Sequence, residues 1–360
     1  MTLTLPKAEI KFRELADSFF TRSERGTAIL IIKDTLNSFK VKEYTEKKDF
    51  EKDKKLYLPE NFQFISDIFL FGTAKVIVVP IAEDGNVEDA LKVISKKCKT
   101  GWISTVGTPE EYKKIADWVK VHSEDGQTFK TITFGTEKSD HECVVDFANP
   151  TVTFKDNRGT VTGEKYIPSL LGIFAACNVE RGVTYYICKN LLEVEEVDDV
   201  KVALNSGKFV LINDYDVVRV GLGINSLTTF NDENEKFEDM RYLDIIEAIH
   251  LMSDDIKDTY RTAYVGIYKN CLDNQILFIS AVNTFFNDLA ELNVLDKQFE
   301  NKAYIDVATQ RKNWEQTNPL AKTWDDTKIK NLAFKRSIFL AADVKILGAM
   351  EDLNFGVNVN

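Results

Sequence analysis

The chain contains few of the residues that mark metal centres, disulfide frameworks or proline-rich linkers. Its 360 residues include three histidines, five cysteines and seven prolines. The cysteines are odd in number, widely scattered and never arranged as a CxxC pair, so they predict neither a zinc site nor a disulfide framework. We therefore expect a reduced intracellular protein that has no metal ion, no other cofactor and no long linker.

Positive charge is also in deficit, and long hydrophobic runs are absent. The 46 basic and 57 acidic residues give a formal charge of −11. Proteins that bind nucleic acid in general carry net positive charge to displace counterions from phosphates, so no nucleic-acid partner is expected. No apolar run reaches the roughly 18 residues of a membrane-spanning helix. The first residues do not resemble a signal peptide, so we expect the protein to begin in the cytoplasm.

Short apolar runs alternate with helical patterns through the middle of the chain. Apolar segments rich in β-branched and aromatic residues predict buried strands at 76–79, 102–106, 129–134 and 143–147. Residues 88–97 and 167–177 have the apolar spacing of helices. Strands that alternate with helices indicate a mostly parallel α/β sheet.

Two local motifs predict where elements begin or turn. Thr108 can cap a helix, Pro109 suits its first position and Glu111 completes a capping box. A helix is therefore predicted from this motif to about Val121. Residues 213–216, Asn-Asp-Tyr-Asp, lie between two apolar segments and predict the turn of a hairpin.

The residues that usually carry catalysis occur here without a recognisable motif. Gly221-Leu222-Gly223 lacks the third glycine of a dinucleotide fingerprint, so it is interpreted as a turn where a strand ends. None of the histidines has metal-ligand spacing. We interpret His250 as a packed or partly exposed structural residue, and His122 and His141 as solvated. The charge run at 47–55 is interpreted as a solvated loop or helix face. We expect no enzyme activity.

The apolar period changes to a helical one after about residue 235. One long amphipathic helix is predicted from Ile245, Ile249, Met252, Ile256, Tyr260, Tyr264 and Ile267, and a second from Ile276, Ile279, Val282, Phe286 and Leu289. A charged, polar stretch follows, and strand-like segments return from about Arg336. This order predicts a second domain of α+β type.

Both ends of the chain alternate apolar and polar residues. The apolar positions are Leu3, Leu5, Ile10 and Phe12 at one end, and Leu353, Phe355, Val357 and Val359 at the other. A period of two predicts strands with one buried face, and a lone strand must pair its backbone groups with a sheet. Two interpretations are open. Either both ends pair inside their own subunit, or each completes a neighbour's sheet and builds an open helical filament.

Segments spread along the whole chain resemble, in the same order, the contractile tail sheath proteins. The resemblance is to the short sheaths of PBSX-like phages and of R-type bacteriocins such as diffocin. The matching segments are LPKAEIKF, TRSERGTAILIIKD, KVIVVPI, WISTVGTPEEYKKIADWVK, PSLLGIFAACNVERGVTYYICKN, GKFVLINDYDVVRVGLGINSLTTF, DMRYLDIIEAIHLMSDDI and VKILGAMEDLNFGVNV.

The resemblance implies an α/β core domain plus an α+β C-terminal domain, with extended N- and C-terminal β-strand arms. The expected division is 1–20 for the N-terminal arm, 21–75 for an N-terminal segment, 76–230 for the α/β sheath core domain, 231–345 for the C-terminal α+β domain and 346–360 for the C-terminal arm. The eight apolar residues of the two chain ends are then the residues that link subunits.

The resemblance also implies a function and a set of partners. A sheath subunit forms a helical homopolymer around an inner tail tube and contracts to drive the tube through a target cell envelope. The expected partners are further copies of the chain, the inner tail tube protein, and baseplate and tail terminator proteins. Assembly in the bacterial cytoplasm would precede release by lysis as an extracellular particle. The alternative is an α/β enzyme or small-molecule-binding protein that forms a discrete oligomer.

Overall fold

The computed structural model describes residues 26–36, 39–177, 181–230 and 236–357. These residues form two compact units. The first, which we call the α/β unit, contains the described residues up to His250 and those from Gly348 onward. The second, which we call the C-terminal unit, spans Leu251–Leu347. Within the described ranges, no helix is both long and apolar enough to cross a membrane.

A seven-stranded sheet is the centre of the α/β unit. The strands of this unit are β1 (Thr27–Lys33), β2 (Lys42–Tyr44), β3 (Lys75–Ile81), β4 (Thr100–Thr105), β5 (Thr128–Phe134), β6 (Val144–Phe147), β7 (Thr151–Phe154), β8 (Thr160–Thr162), β9 (Leu191–Val194), β10 (Lys208–Phe209), β11 (Leu211–Asp214) and β12 (Val217–Val220). The sheet order is β10-β6-β5-β4-β1-β3-β2, and β2 is its antiparallel member. The predicted, mostly parallel sheet is confirmed.

Helices cover both faces of this sheet. They are α1 (Lys47–Lys52), α2 (Pro59–Phe69), α3 (Val87–Lys97), α4 (Pro109–Glu124), α5 (Ile167–Ala176), α6 (Val200–Asn205) and the first part of α7 (Leu243–Thr259). Apolar residues of α2 and α5 pack with one face of the sheet, and those of α3 and α4 pack with the other. Strands β7, β8 and β9 form a separate small sheet, and β11 and β12 form a hairpin.

The strand β1 lies in the middle of the sheet, between β3 and β4. Ala28 and Leu30 pack on one face and Ile29 and Ile31 on the other, and all four are 0% exposed. The sequence division at residue 76 places this run before the core domain, whereas the structure makes it an interior strand of the seven-stranded sheet. Its continuous apolar run is the same pattern that predicts a buried strand at 76–79, so the division at residue 76 separates β1 from the sheet to which it belongs.

Local motifs of the sequence are confirmed in the α/β unit. Helix α4 begins with a complete capping box, in which the Glu111 N–H donates to Thr108 Oγ1 at 3.4 Å and the Thr108 N–H donates to Glu111 Oε2 at 2.8 Å. The hairpin turn is present, and Tyr215 occupies the left-handed region with φ of 51°. The charge run at 47–55 contains α1, a mostly solvated helix that buries Phe50.

The C-terminal unit contains the end of α7 and three further helices. Its remaining elements are α8 (Leu272–Glu291), β13 (Lys302–Ile305), α9 (Val307–Thr317), α10 (Asp326–Asn331) and β14 (Leu340–Asp343). The charged, polar stretch after the second predicted helix therefore contains α9 and α10, which the apolar pattern did not reveal. From Arg336 to Val357, the assigned strand is β14.

The predicted long helix is shorter than its apolar spacing suggests. Helix α7 ends at Thr259, and a π-turn follows over Tyr260–Tyr264, in which the Val265 N–H donates to the Tyr260 carbonyl at 3.0 Å. Gly266 then adopts φ of 78°, a left-handed conformation that stops a helix. Ile267 was expected on the buried face but is 64% exposed.

Close packing of α2 against α5 depends on Gly172. A Cβ atom added at this position would lie 2.5 Å from the Ile68 carbonyl oxygen. We predict that Gly172→Ala lowers the free energy of unfolding by about 1–3 kcal/mol, because one of the two helices must shift. Urea unfolding would measure the change. Gly348→Ala, at a position with nothing within 4 Å of the added atom, is the control and should leave the midpoint unchanged.

The Asp140 carboxylate joins two loops of the α/β unit. It accepts hydrogen bonds from Thr228 N at 2.7 Å, Thr228 Oγ1 at 3.0 Å, Thr229 N at 3.1 Å and Thr229 Oγ1 at 2.6 Å. Partial burial disfavours the charged form, but these bonds outweigh it and lower the pKa of Asp140 to about 2. A carboxylate whose pKa is lower in the folded state than in the unfolded state stabilises the fold at pH values above its unfolded-state pKa. This contribution is lost as the pH falls through the folded-state pKa.

We therefore predict that Asp140→Asn lowers the free energy of unfolding at pH 7. The difference in this free energy between the wild type and the variant should shrink below about pH 4. Urea unfolding across pH would test this. Asp117→Asn, which removes an exposed carboxylate from α4, controls for the loss of one negative charge. If the difference in unfolding free energy between the wild type and Asp140→Asn stays constant down to about pH 2, the prediction is contradicted.

Candidate inter-subunit interface

Residues 348–357 of the predicted C-terminal arm contain neither a helix nor a strand, whereas Ile346 at its start forms a β-bridge with Leu295. Leu353, Phe355 and Val357 are 88%, 77% and 69% exposed, and they alternate with Asn354 and Gly356. The apolar stripe therefore lies in water in the single chain. The other predicted linking residues, Leu3, Leu5, Ile10, Phe12 and Val359, lie outside the described residues.

An open two-stranded sheet in the C-terminal unit offers edges to which a strand can add. Strands β13 and β14 pair antiparallel, with Tyr304 opposite Ala341. The Asp306 N–H donates to the Phe339 carbonyl at 2.9 Å, so these two residues form a hydrogen-bonded pair. In an antiparallel pair of strands, alternate residues direct their backbone N–H and C=O groups toward the partner strand and away from it. Leu340 and Ala342 consequently direct their backbone groups away from β13.

The two edges of this sheet are not equivalent. On the outer edge of β13, the Ala303 N–H already donates to Asn283 Oδ1 at 2.7 Å. The outer edge of β14 is the more accessible of the two, because Ala342 and Asp343 are exposed. An exposed row of backbone donors and acceptors is a template for pairing with another chain. The sequence carries no signal for this edge, since β14 is a four-residue segment with no alternating pattern.

A groove of about 650 Å³ runs beside β13. Its walls include apolar side chains from α8, β13 and α9, together with two charged ones: Ile279, Ala303, Ile305, Val307, Asp306 and Lys330. The groove has room for apolar side chains and is bordered by both signs of charge.

Charge is distributed unevenly between the two units. Residues 24–250 and 348–360 together contain 41 acidic and 29 basic residues, whereas residues 251–347 contain 13 of each. Within the C-terminal unit, Lys328, Lys330, Lys335 and Arg336 are exposed. Lys328 lies 4.6 Å from the ring centre of Trp324 and Lys335 lies 5.2 Å from that of Phe334. These rings hold part of the basic patch in place.

The seven-stranded sheet of the α/β unit also has a reversal of strand order, at which many α/β proteins bind ligands. The connection that follows β1 runs toward β3 and β2, whereas the one that follows β4 runs the other way, toward β5. Ligands of such sheets bind beyond the carboxyl ends of the strands at this reversal. Here Lys33 pairs with Glu111 at 2.6 Å and Lys165 pairs with Glu60 at 2.6 Å. The cavity beside these ion pairs has a volume of about 100 Å³, which is smaller than the roughly 300 Å³ of small ligand pockets.

The histidines occupy less solvated positions than expected. His122 is half-buried and stacks on Trp118 with ring centres 3.8 Å apart, so it is less solvated than predicted. His250 is packed as predicted, and its Nε2 lies 3.9 Å from Cys143 Sγ. His141 is also half-buried, because a turn folds it back onto Glu142 and Cys143.

This turn forms the one group of possible metal ligands among the described residues. Ligand atoms of His141, Glu142 and Cys143 lie within 4.8 Å of one another. However, the Cys143 N–H donates to His141 Nδ1 at 3.1 Å, and Lys236 forms an ion pair with Glu142. Burial lowers the pKa of His141 and raises that of the Cys143 thiol to about 12. The protein's own groups therefore already engage His141 Nδ1 and one oxygen of Glu142.

Comparisons with known proteins agree on one family. Residues 235–360 match the phage tail sheath C-terminal domain. The tail sheath protein of Clostridium phage phiCD119 is 28% identical over 364 residues, which cover 99% of both chains.

Solved sheath structures share the fold. The helical sheath of the anti-feeding prophage in its contracted state has a TM-score of 0.70 at 11% identity, covering 99% of each chain. A sheath tail protein from Listeria innocua has a TM-score of 0.67 at 14% identity, covering 85% of this chain and 94% of that one. The contracted PVC sheath of an extracellular contractile injection system has a TM-score of 0.66 at 10% identity, covering 94% of each chain. Together with the segments that carry the sequence resemblance, these matches show that the chain is similar over its whole length to a phage tail sheath protein and shares the fold of contractile sheaths.

Proposed function

We propose that this sheath subunit polymerises helically around an inner tube and that its terminal arms link neighbouring subunits by strand addition. The observation that carries the proposal is the apolar stripe of Leu353, Phe355 and Val357, which the single chain leaves in water. Strand addition buries such a stripe and pairs the arm's backbone groups in one step. Because donor and acceptor are different surfaces, the contact is head-to-tail and can continue into a filament.

We further propose that the outer edge of β14 accepts an arm from a neighbour. This edge is accessible, whereas the Asn283 side chain occupies a donor on the edge of β13. An arm paired with β14 would extend the two-stranded sheet to three strands. Three or more strands with an apolar face are more stable than an isolated pair, so the arm stabilises its acceptor as well as the contact.

Contraction in this proposal draws on energy stored during assembly. An extended lattice that is metastable relative to a shorter, wider one releases energy as subunits gain contacts with each other. Each unit would move as a rigid body while the arms act as hinges. Backbone hydrogen bonds of the added strands can persist through this change, so the subunits rearrange without dissociating.

The proposed partners are further copies of this chain, the inner tail tube protein, and baseplate and tail terminator proteins. The anti-feeding prophage relatives include a baseplate structure at 10% identity and a TM-score of 0.67, which supports a place for this fold at that end of the particle. Assembly in the bacterial cytoplasm and release by lysis as an extracellular particle complete the proposal.

We propose a purely structural role for the α/β sheet, in place of the enzyme or small-molecule-binding alternative. Ion pairs of the protein fill the position where sheets of this kind bind ligands. Sedimentation separates the two classes, since a sheath subunit gives tubes or polydisperse large species and the alternative gives one small oligomer.

Truncation after Met350 tests the arm. The shortened chain should stay folded and soluble but form no tubes, because it lacks the apolar stripe. Electron microscopy would detect the tubes, and circular dichroism would verify the fold. Normal tubes from the truncated chain would refute the arm as the link between subunits.

A point substitution tests the same contact with a matched control. Phe355→Asp places a charge on the face that the neighbour buries and should abolish assembly. Asn354→Asp adds the same charge to the opposite face of the strand and should leave assembly close to that of the wild type. Equal defects in the two variants would contradict a strand with one buried face.

The basic patch should face acidic surface on a neighbour. We predict that Lys328→Glu combined with Lys330→Glu raises the concentration needed for assembly at low salt, and that added salt reduces the defect by screening the new repulsion. Lys47→Glu combined with Lys48→Glu makes the same change in net charge on α1 and should have a smaller effect. Light scattering against protein concentration would measure both variants, and equal effects would contradict a localised contact.

A further inference from the structure

We propose that hydrogen bonds near the start of the C-terminal arm attach the arm to the α/β unit, so that the arm moves with this unit. We call the attached segment, residues 348–351, the root of the arm. The inference rests on the proposed role of residues 348–357 in linking subunits. The family match assigns the whole of residues 235–360 to one C-terminal domain. The structure instead groups the chain from Gly348 onward with the α/β unit, although the preceding residue belongs to the C-terminal unit.

Two hydrogen bonds make this attachment. The Ala349 N–H donates to Asp244 Oδ2 at 3.0 Å, and Thr184 Oγ1 donates to Glu351 Oε1 at 2.7 Å. Asp244 lies in the first turn of α7, and Thr184 lies in the loop before β9. Both partners belong to the α/β unit.

The two anchoring residues are themselves fixed to one another through Gly223. The Gly223 N–H donates to Thr184 Oγ1 at 3.0 Å, and the Gly223 carbonyl accepts from the Leu243 N–H, next to Asp244, at 2.9 Å. A Cβ atom at Gly223 would lie 2.9 Å from a Val183 methyl carbon and 3.1 Å from Thr184 Oγ1, so the approach requires glycine. The root of the arm is therefore bonded to a preorganised surface.

This attachment divides the arm into a fixed root and a free end. The root ends at Glu351, and the free end begins at Asp352 and contains the exposed apolar stripe. A shorter free segment has fewer conformations to lose when it binds, which lowers the concentration at which assembly begins. A movement of the α/β unit during contraction would also carry the root with it.

The critical concentration for polymerisation tests the proposal. Glu351→Ala removes the acceptor of the Thr184 hydroxyl and should raise this concentration about threefold, the effect of losing one exposed hydrogen bond. Glu351→Gln keeps a side-chain oxygen and should restore the wild-type value. An equal defect in both variants would assign the effect to charge and overturn the proposal.

Hydrogen exchange of the unassembled chain gives a second readout that is independent of assembly. The Ala349 amide should exchange slowly in the wild type and in Asp244→Asn, which retains an acceptor oxygen, and quickly in Asp244→Ala. Unprotected exchange of Ala349 in the wild type would overturn the attachment.

The attachment of the root and the role of the arm in assembly can be refuted separately. If truncation after Met350 abolishes tubes while Glu351→Ala assembles like the wild type, the arm links subunits and the attachment at its root is wrong. If the truncated chain forms normal tubes, the proposed function of the arm fails, while protection of the Ala349 amide still reports whether the root is attached.

Discussion

The proposed sheath contact depends on one geometric constraint. Apolar side chains at every second position of an extended segment all lie on the same face, so a partner must cover that face to remove them from water. Leu353, Phe355 and Val357 lie in water in the single chain. Full burial of side chains of this size stabilises by about 1.5–3 kcal/mol each. A partner that covers one face and pairs the backbone provides this stabilisation in a defined register. The arm and the β14 edge are complementary in these terms, because one lacks a sheet and the other lacks a strand.

The α/β unit supplies a rigid body to which such contacts can be attached. Its interior strand β1 is buried on both faces, and buried polar groups join its elements. Lys130 of β5 pairs with Glu247 of α7, and the Trp102 indole N–H donates to the same carboxylate at 3.2 Å. A packed core of this kind resists continuous deformation, so movement is directed to the segments that connect units and subunits.

Charge adds a second level of organisation. The α/β unit holds the excess of acidic residues, whereas the C-terminal unit is balanced and carries an exposed basic patch. In a homopolymer every surface is present in every copy, so acidic surface on one subunit is always available to the basic patch of another. Such contacts favour correct orientation and discriminate against misaligned subunits more than they add affinity.

The sequence alone determined the features whose partners lie close by in the chain. The Thr108–Glu111 capping box, the hairpin at 213–216 and the alternation of the C-terminal arm can all be recognised within a few residues. Tertiary structure decided the position of β1 between β3 and β4, the end of α7 at Thr259, the pairing of β13 with β14 and the bond between Thr184 and Glu351. These features depend on residues that are distant in sequence or on which face a segment buries, and neither leaves a local pattern.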